Sequence, residues 1–133
     1  MKVAELMQRD VTAVRPDTSV AEVITSLADA HISAVPVVDA HGHVVGVVSS
    51  SDVLTEEAEG GAGQARTALL ESTPARDIIT RRALTIDPEA DVRDAAREML
   101  YADVHRLFVV SADRLVGVIS TTDIVRAVAT GRL

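Results

Sequence analysis

The feature that most restricts this chain is that its pattern is written twice. Val14-Arg15-Pro16-Asp17 recurs as Ile86-Asp87-Pro88-Glu89, and Gly46-Val47-Val48-Ser49-Ser50-Ser51-Asp52 recurs as Gly117-Val118-Ile119-Ser120-Thr121-Thr122-Asp123. The offset is 72 residues at the prolines and, after one deletion, 71 at the glycines. Self-similarity over such a period means that one supersecondary unit has been copied, so the fold of the first copy is the fold of the second. A unit of roughly 55 residues buries too little surface to stand alone, whereas two of them can bury their apolar faces against each other.

The local signals run in the same order in each copy. A short apolar segment stops at Pro16 or Pro88, which can extend neither a helix nor a central strand. Val20, Val23, Ile24 and Leu27 follow in one copy and Val92, Ala95, Ala96 and Met99 in the other, the i, i+3, i+4, i+7 stripe of an amphipathic helix. Ser19 and Asp91 stand where N-caps belong. Two β-rich runs around a polar turn predict a hairpin: Ala34–Val38 with Val44–Val48, and Arg106–Val110 with Leu115–Ile119. A hydroxyl-rich stretch and an acid then lead into a second helix beginning near Val53 or Ile124. The pattern predicts β-α-β-β-α twice, an α/β (α+β) fold with the two repeats packed through their sheets in pseudo-two-fold symmetry. The boundaries are 1–58 for the first repeat, 59–74 for a linker and 75–133 for the second repeat. In the linker, Gly60-Gly61-Ala62-Gly63 reads as a flexible break and Gln64 to Glu71 as two helical turns. Function is expected at the seam between the repeats.

Composition narrows the classes. With 47% hydrophobic and 25% charged residues the chain reads as a folded soluble protein. No apolar run reaches the roughly 18 residues of a membrane span, and Met1-Lys2-Val3-Ala4-Glu5 does not open a signal peptide, so no membrane association and a cytoplasmic location are expected. The absence of cysteine removes disulfides, thiolate metal sites and cysteine nucleophiles together. One Tyr, one Phe and no Trp leave no stacking platform for single-stranded nucleic acid, and the net charge of -7 disfavours phosphate-backbone binding. That charge is uneven: residues 1–60 carry three basic against ten acidic groups, and residues 61–133 carry ten of each. An anion site is therefore expected to draw its arginines from the second half.

The residues Pro16-Asp17-Thr18-Ser19-Val20, Ile32-Ser33-Ala34-Val35-Pro36-Val37-Val38-Asp39 and the two glycine-to-aspartate signatures, in order and twice, resemble the cystathionine-β-synthase (CBS) domain pair, also called the Bateman module. The resemblance covers nearly the whole chain. It implies a regulatory, non-enzymatic module that binds an adenosine-containing small molecule (AMP, ADP, ATP or S-adenosylmethionine) in the cleft between two repeats. Such a module requires no cofactor, and the nucleotide is a regulatory ligand in energy sensing. The resemblance also implies a homodimer, whose contacts, or those with a protein partner, change on ligand binding. A ligand-free dimeric scaffold is the alternative.

The signatures have a physical reading of their own. A hydroxyl three residues before an acid at a helix start resembles a capping box with Asp in place of Glu or Gln. The same geometry suits a ligand: a helix N-terminus offers N–H groups and positive dipole to a phosphate, and a carboxylate accepts hydrogens from a ribose diol. In the γ subunit of AMP-activated kinase, whose last two repeats the chain resembles, the ligand on one repeat's Asp meets the other repeat's second strand. Carried over, one nucleotide site comprises Ser49, Ser51, Asp52, Thr85, His105 and Arg106. The other comprises Thr12, Ser33, Ala34, Pro36, Ser120, Thr122 and Asp123. Asp52 and Asp123 would hold ribose, and the hydroxyls at 49, 51, 120 and 122 would face ribose or phosphate. His105 and Arg106 suit a phosphate, so the Asp52 site is expected to be the phosphate-competent one. The Asp123 site, which receives no basic group from Ser33-Ala34, is expected to be weaker or to prefer a less charged ligand. Two positions depart from the family pattern: the counterpart of Pro36 in the second repeat is Phe108, and Ala13 stands where the second repeat has Thr85.

Other chemistry is thin. His41-Gly42-His43 has no third metal ligand at clear spacing and reads as a turn, so no metal site is expected. The glycine cluster lacks the Lys-Ser/Thr of a phosphate loop, no Gly-x-Ser-x-Gly elbow occurs, and His31 stands near a helix end with no evident partner.

Overall fold

The computed structural model describes residues 1–59, 63–79 and 82–133. In chain order the elements are α1 (Val3–Leu6), α2 (Val20–Ala30), β1 (Ala34–Val38), β2 (Val44–Ser49), α3 (Ser50–Glu59), α4 (Gln64–Ser72), a 3-10 turn (Ala75–Asp77), β3 (Thr85–Ile86), α5 (Val92–Ala102), β4 (Arg106–Ser111), β5 (Arg114–Ser120) and α6 (Thr121–Ala129). They form two compact units, residues 12–83 and residues 1–11 with 84–133. These units are not the repeats as spaced in the sequence, because Met1–Val11 packs with the second copy.

In the unit of residues 12–83, β1 and β2 form an antiparallel hairpin with Ala34 opposite Ser49 and Val37 opposite Gly46. The strand expected at Val14 to Pro16 is a single bridge, Val14 alongside Val37. Its shortness has a local cause: the Arg15 amide donates to Thr18 Oγ1 at 2.9 Å and the Thr18 amide donates back to the Arg15 carbonyl at 3.1 Å, turning the chain as Pro16 removes a donor. The α2 stripe lies in the core, with Val20, Val23 and Leu27 packed among Val14, Val35, Val37 and Val48. Ser19 caps α2 by accepting from the Glu22 amide at 3.2 Å. The expected turns at Gln64 to Glu71 exist as α4, which packs on α2 and sets Leu70 against that core, so this stretch belongs to the unit rather than hanging between units. The break at Gly60-Gly61-Ala62 lies outside the described residues.

In the other unit β3 pairs parallel with β4, and β4 pairs antiparallel with β5, Arg106 opposite Ser120 and Val109 opposite Gly117. Val92, Ala95 and Met99 of α5 pack with Leu107, Val109 and Ile119. Asp91 caps α5 through the Arg93 amide at 2.8 Å. The first residues complete this core: Val3 is fully buried in it, and its amide donates to the Ala90 carbonyl at 2.8 Å. The Gln8 amide donates to the Val118 carbonyl at 2.8 Å and the Val118 amide to the Gln8 carbonyl at 2.9 Å, so Gln8 rides on β5 like a one-residue strand. Gly117 makes the approach possible, because a Cβ there would sit 2.8 Å from Met7 Sδ and 2.9 Å from the Gln8 carbonyl oxygen.

The β4–β5 turn places Ala112 and Asp113 at φ of 50° and 64°. Two consecutive left-handed residues are what a tight hairpin turn of type I′ needs, and alanine is poorly suited to the first position. Ala112→Asn combined with Asp113→Gly is expected to stabilise this unit by roughly 1 kcal/mol, read from the urea midpoint at unchanged slope.

Candidate functional site

The two glycine-to-aspartate signatures place a carboxylate at the start of a helix in each unit. β2 ends at Ser49 and α3 begins at Ser50; β5 ends at Ser120 and α6 begins at Thr121. Both helices therefore start three residues before the expected positions, Val53 and Ile124. The reason is a reciprocal cap. The Ser49 amide donates to Asp52 Oδ2 at 2.7 Å, the Ser49 hydroxyl donates to the same oxygen at 3.0 Å, and the Asp52 amide donates to Ser49 Oγ at 3.3 Å. In the second copy the Ser120 amide donates to Asp123 Oδ2 at 2.9 Å and the Asp123 amide to Ser120 Oγ at 3.2 Å. The capping box is thus present in both copies with Asp in the acidic position. These are also the only buried charged side chains among the described residues, Asp52 at 9% exposure and Asp123 at 6%.

Each signature has fixed neighbours inside its own unit. Ser33 offers its carbonyl to the Ser50 amide at 2.8 Å and to the Ser50 hydroxyl at 3.2 Å, and Ala34 lies opposite Ser49. Pro36 is buried opposite Val47, while Thr12 and Ser51 are exposed. Correspondingly, His105 offers its carbonyl to the Thr121 amide at 2.9 Å, Arg106 lies opposite Ser120, and Thr85 pairs with Phe108. Thr122 is exposed on the first turn of α6. Phe108 is buried in β4 at 4% exposure, as a core side chain. Hence Thr12, Ser33, Ala34, Pro36, Ser49, Ser51 and Asp52 belong to one unit, and Thr85, His105, Arg106, Ser120, Thr122 and Asp123 to the other. Each nucleotide site expected from the family pattern draws residues from both.

Around Asp123 the structure adds residues that the motifs did not single out. Gln8 Nε2 donates to Asp123 Oδ1 at 3.0 Å, and an Arg126 guanidinium nitrogen lies 3.7 Å from the same oxygen. A cleft of about 300 Å³ opens here, lined by Leu6, Asp123, Arg126, Ala127, Thr130 and Arg132. Arg132 donates to the Glu5 carbonyl at 3.4 Å. Asp123 therefore has basic neighbours, supplied by its own helix and the residues after it, although none was expected from Ser33-Ala34. Arg126 was detectable as an i+3 partner of Asp123 on one helix. Gln8 carried no such signal, since its partner lies 115 residues away.

The His41-Gly42-His43 segment is a turn built on Asp39, whose Oδ1 accepts the His41 amide at 2.9 Å and the His43 amide at 3.0 Å. The His43 amide above all, with smaller help from the His41 amide, holds the Asp39 carboxyl below its ordinary range. Among the described residues no three His, Cys, Asp or Glu side chains are grouped to hold a metal ion. Among them, too, no helix is long and apolar enough to cross a membrane.

Comparison with known proteins agrees with the repeat. Residues 3–59 and 75–130 each match the family model for the CBS domain. The chain is 30% identical over 148 residues to the chloroplastic CBS domain-containing protein CBSX1 of Arabidopsis thaliana, an alignment covering 94% of this chain and 63% of that protein. It spans 59% of CBSX2 from the same plant, and so covers less than two thirds of either relative's length. The crystal structure of CBSX2 in complex with AMP superposes with a TM-score of 0.82 at 29% identity, covering 99% of this chain and 98% of that one. The CBS domain protein PAE2072 of Pyrobaculum aerophilum, complexed with AMP, gives a TM-score of 0.78 at 25% identity, with 99% and 98% covered. The mixed helix-and-strand architecture is that of the CBS pair.

Proposed function

Because this chain belongs to the CBS domain family and carries the domain twice, we propose that it is a non-enzymatic regulatory module that senses an adenine nucleotide. The observation that carries the proposal is the buried carboxylate at each helix start, Asp52 and Asp123, whose Oδ2 is held by a main-chain amide. A carboxylate oriented in this way accepts ribose hydroxyl hydrogens, and the neighbouring N–H groups and hydroxyls of the helix N-terminus receive phosphate. The AMP held by CBSX2 and by PAE2072 supports the choice of ligand class.

In this proposal Asp52 grips the ribose of one nucleotide with Ser49 and Ser51 beside it, and Thr85, His105 and Arg106 serve the same ligand, the last two at its phosphate. Asp123 grips a second ligand with Ser120 and Thr122, joined by Thr12, Ser33, Ala34 and Pro36. The response is a change in homodimer or partner contacts. Support for self-association comes from α5 and α6, which pack on each other and leave Leu100, Tyr101, Val125 and Val128 more than half exposed.

The test is a calorimetric titration of AMP, ADP, ATP and adenosine into ligand-stripped protein, with sedimentation velocity before and after saturation. Saturable heat and a shifted sedimentation coefficient are the expected results, and a flat titration for all four ligands would sink the proposal. Arg106→Ala is expected to weaken AMP about tenfold while leaving adenosine within a factor of about two, since only the phosphate needs the guanidinium. Equal losses for both ligands would remove Arg106 from the phosphate.

A further inference from the structure

The Asp123 carboxylate already has donors on both of its oxygens. Oδ2 accepts the Ser120 amide at 2.9 Å, a bond that belongs to the start of α6 and breaks only with the helix. Oδ1 accepts Gln8 Nε2 at 3.0 Å and has the Arg126 guanidinium 3.7 Å away. A carboxylate oxygen presents about two lone-pair directions, so a ribose diol that takes both at Oδ1 competes with the Gln8 amide, the donor already seated there within hydrogen-bonding range. It sits on an exposed residue whose main chain is pinned independently, by the two hydrogen bonds to Val118. The side chain can swing away while the backbone stays on β5.

We propose that Gln8 is a built-in competitor at the Asp123 carboxylate, an internal donor that an adenosyl ligand must displace to be held there. The proposal rests on the nucleotide-sensing function given above and assigns to Gln8 the role of setting the ligand concentration at which Asp123 fills. A hydrogen bond to a charged acceptor that must be broken before a new one forms lowers apparent affinity by about tenfold. Displacement also releases the side chain of a segment, residues 1–11, that belongs to this unit. The fill state of Asp123 is thereby reported at Gln8.

The experiment isolates Asp123 with Asp52→Asn and titrates adenosine by calorimetry, with and without Gln8→Ala. The expected result is about tenfold tighter adenosine binding in the Gln8→Ala protein. Unchanged or weaker binding overturns the proposal, the latter by making Gln8 a ligand contact instead. A second measurement needs no substitution: the Gln8 side-chain amide signals in ¹⁵N-resolved spectra are expected to move when adenosine saturates the wild-type protein, and static signals at saturation overturn the proposal. Heat from the wild-type chain with none from the doubly substituted one removes the competitor and leaves the sensing function resting on Asp52. No heat from the wild-type chain removes the sensing function and the competitor with it.

Discussion

Asp52→Ala is expected to lower affinity for AMP at its site ten- to a hundredfold. The loss is that of charge-assisted hydrogen bonds from the ribose diol, about 1.5–3 kcal/mol. The same substitution also takes away the acceptor of the Ser49 amide and hydroxyl, which lie 2.7 and 3.0 Å from Oδ2, so it weakens the start of α3 as well. Asp52→Asn separates the two effects. Its amide oxygen still accepts from Ser49, so the thermal midpoint is expected to stay close to wild type, while an NH2 group replaces one of the acceptors that ribose requires. Calorimetry on both proteins decides the matter: if Asn restores AMP affinity along with stability, Asp52 is a helix cap and the nucleotide lies elsewhere.

Gly117→Ala is expected to destabilise the unit of residues 1–11 and 84–133 by about 1–3 kcal/mol, the usual cost of forcing a methyl group into packed space. The added carbon would meet Met7 Sδ at 2.8 Å and the Gln8 carbonyl oxygen at 2.9 Å. The methionine can yield by rotating. The carbonyl cannot, because it belongs to main chain that is hydrogen-bonded to Val118. Combining Gly117→Ala with Met7→Ala is therefore expected to recover part of the loss and no more, a coupling that a double-mutant cycle in urea measures. Faster hydrogen exchange at the Val118 amide would accompany the loss. A wild-type midpoint for Gly117→Ala alone would show that residues 7 and 8 do not sit on β5 in solution.

What was legible in the sequence follows from what a local pattern encodes. The helices α2 and α5 were readable because Val20, Val23 and Leu27, like Val92, Ala95 and Met99, bury one face at helical spacing. The hairpins were readable because β-branched runs flank turn residues. The start of α3 and α6 was misplaced because Ser50-Ser51 and Thr121-Thr122 resemble loop by composition, and only the reciprocal bonds between Ser49 and Asp52, or Ser120 and Asp123, make them helical. The strand expected at Val14 failed for a similar reason, since Thr18 captures the Arg15 amide. Membership of Met1–Val11 in the far unit was hidden, as Val3 and Leu6 show apolar spacing without showing which core receives them. At the candidate site the aspartates and hydroxyls were found because the repeat presents them twice. Gln8 was not, because it has no counterpart signal and its partner is distant in the chain.

The placement of Met1–Val11 also bears on the order in which the chain acquires structure. Residues 12–83 are contiguous, so that unit can close as soon as it has been synthesised. The other unit cannot: Val3 waits for Val92 and Met99, and Gln8 waits for Val118, with the whole of residues 12–83 lying between them in the chain. Closing such a long loop is entropically unfavourable and slow compared with local hairpin formation. Residues 1–11, made before the intervening unit, are thus among the last to find their place. Until they do, the apolar side of α5 lacks Val3, and the newborn protein exposes a strip of its core in the interval between translation and completion.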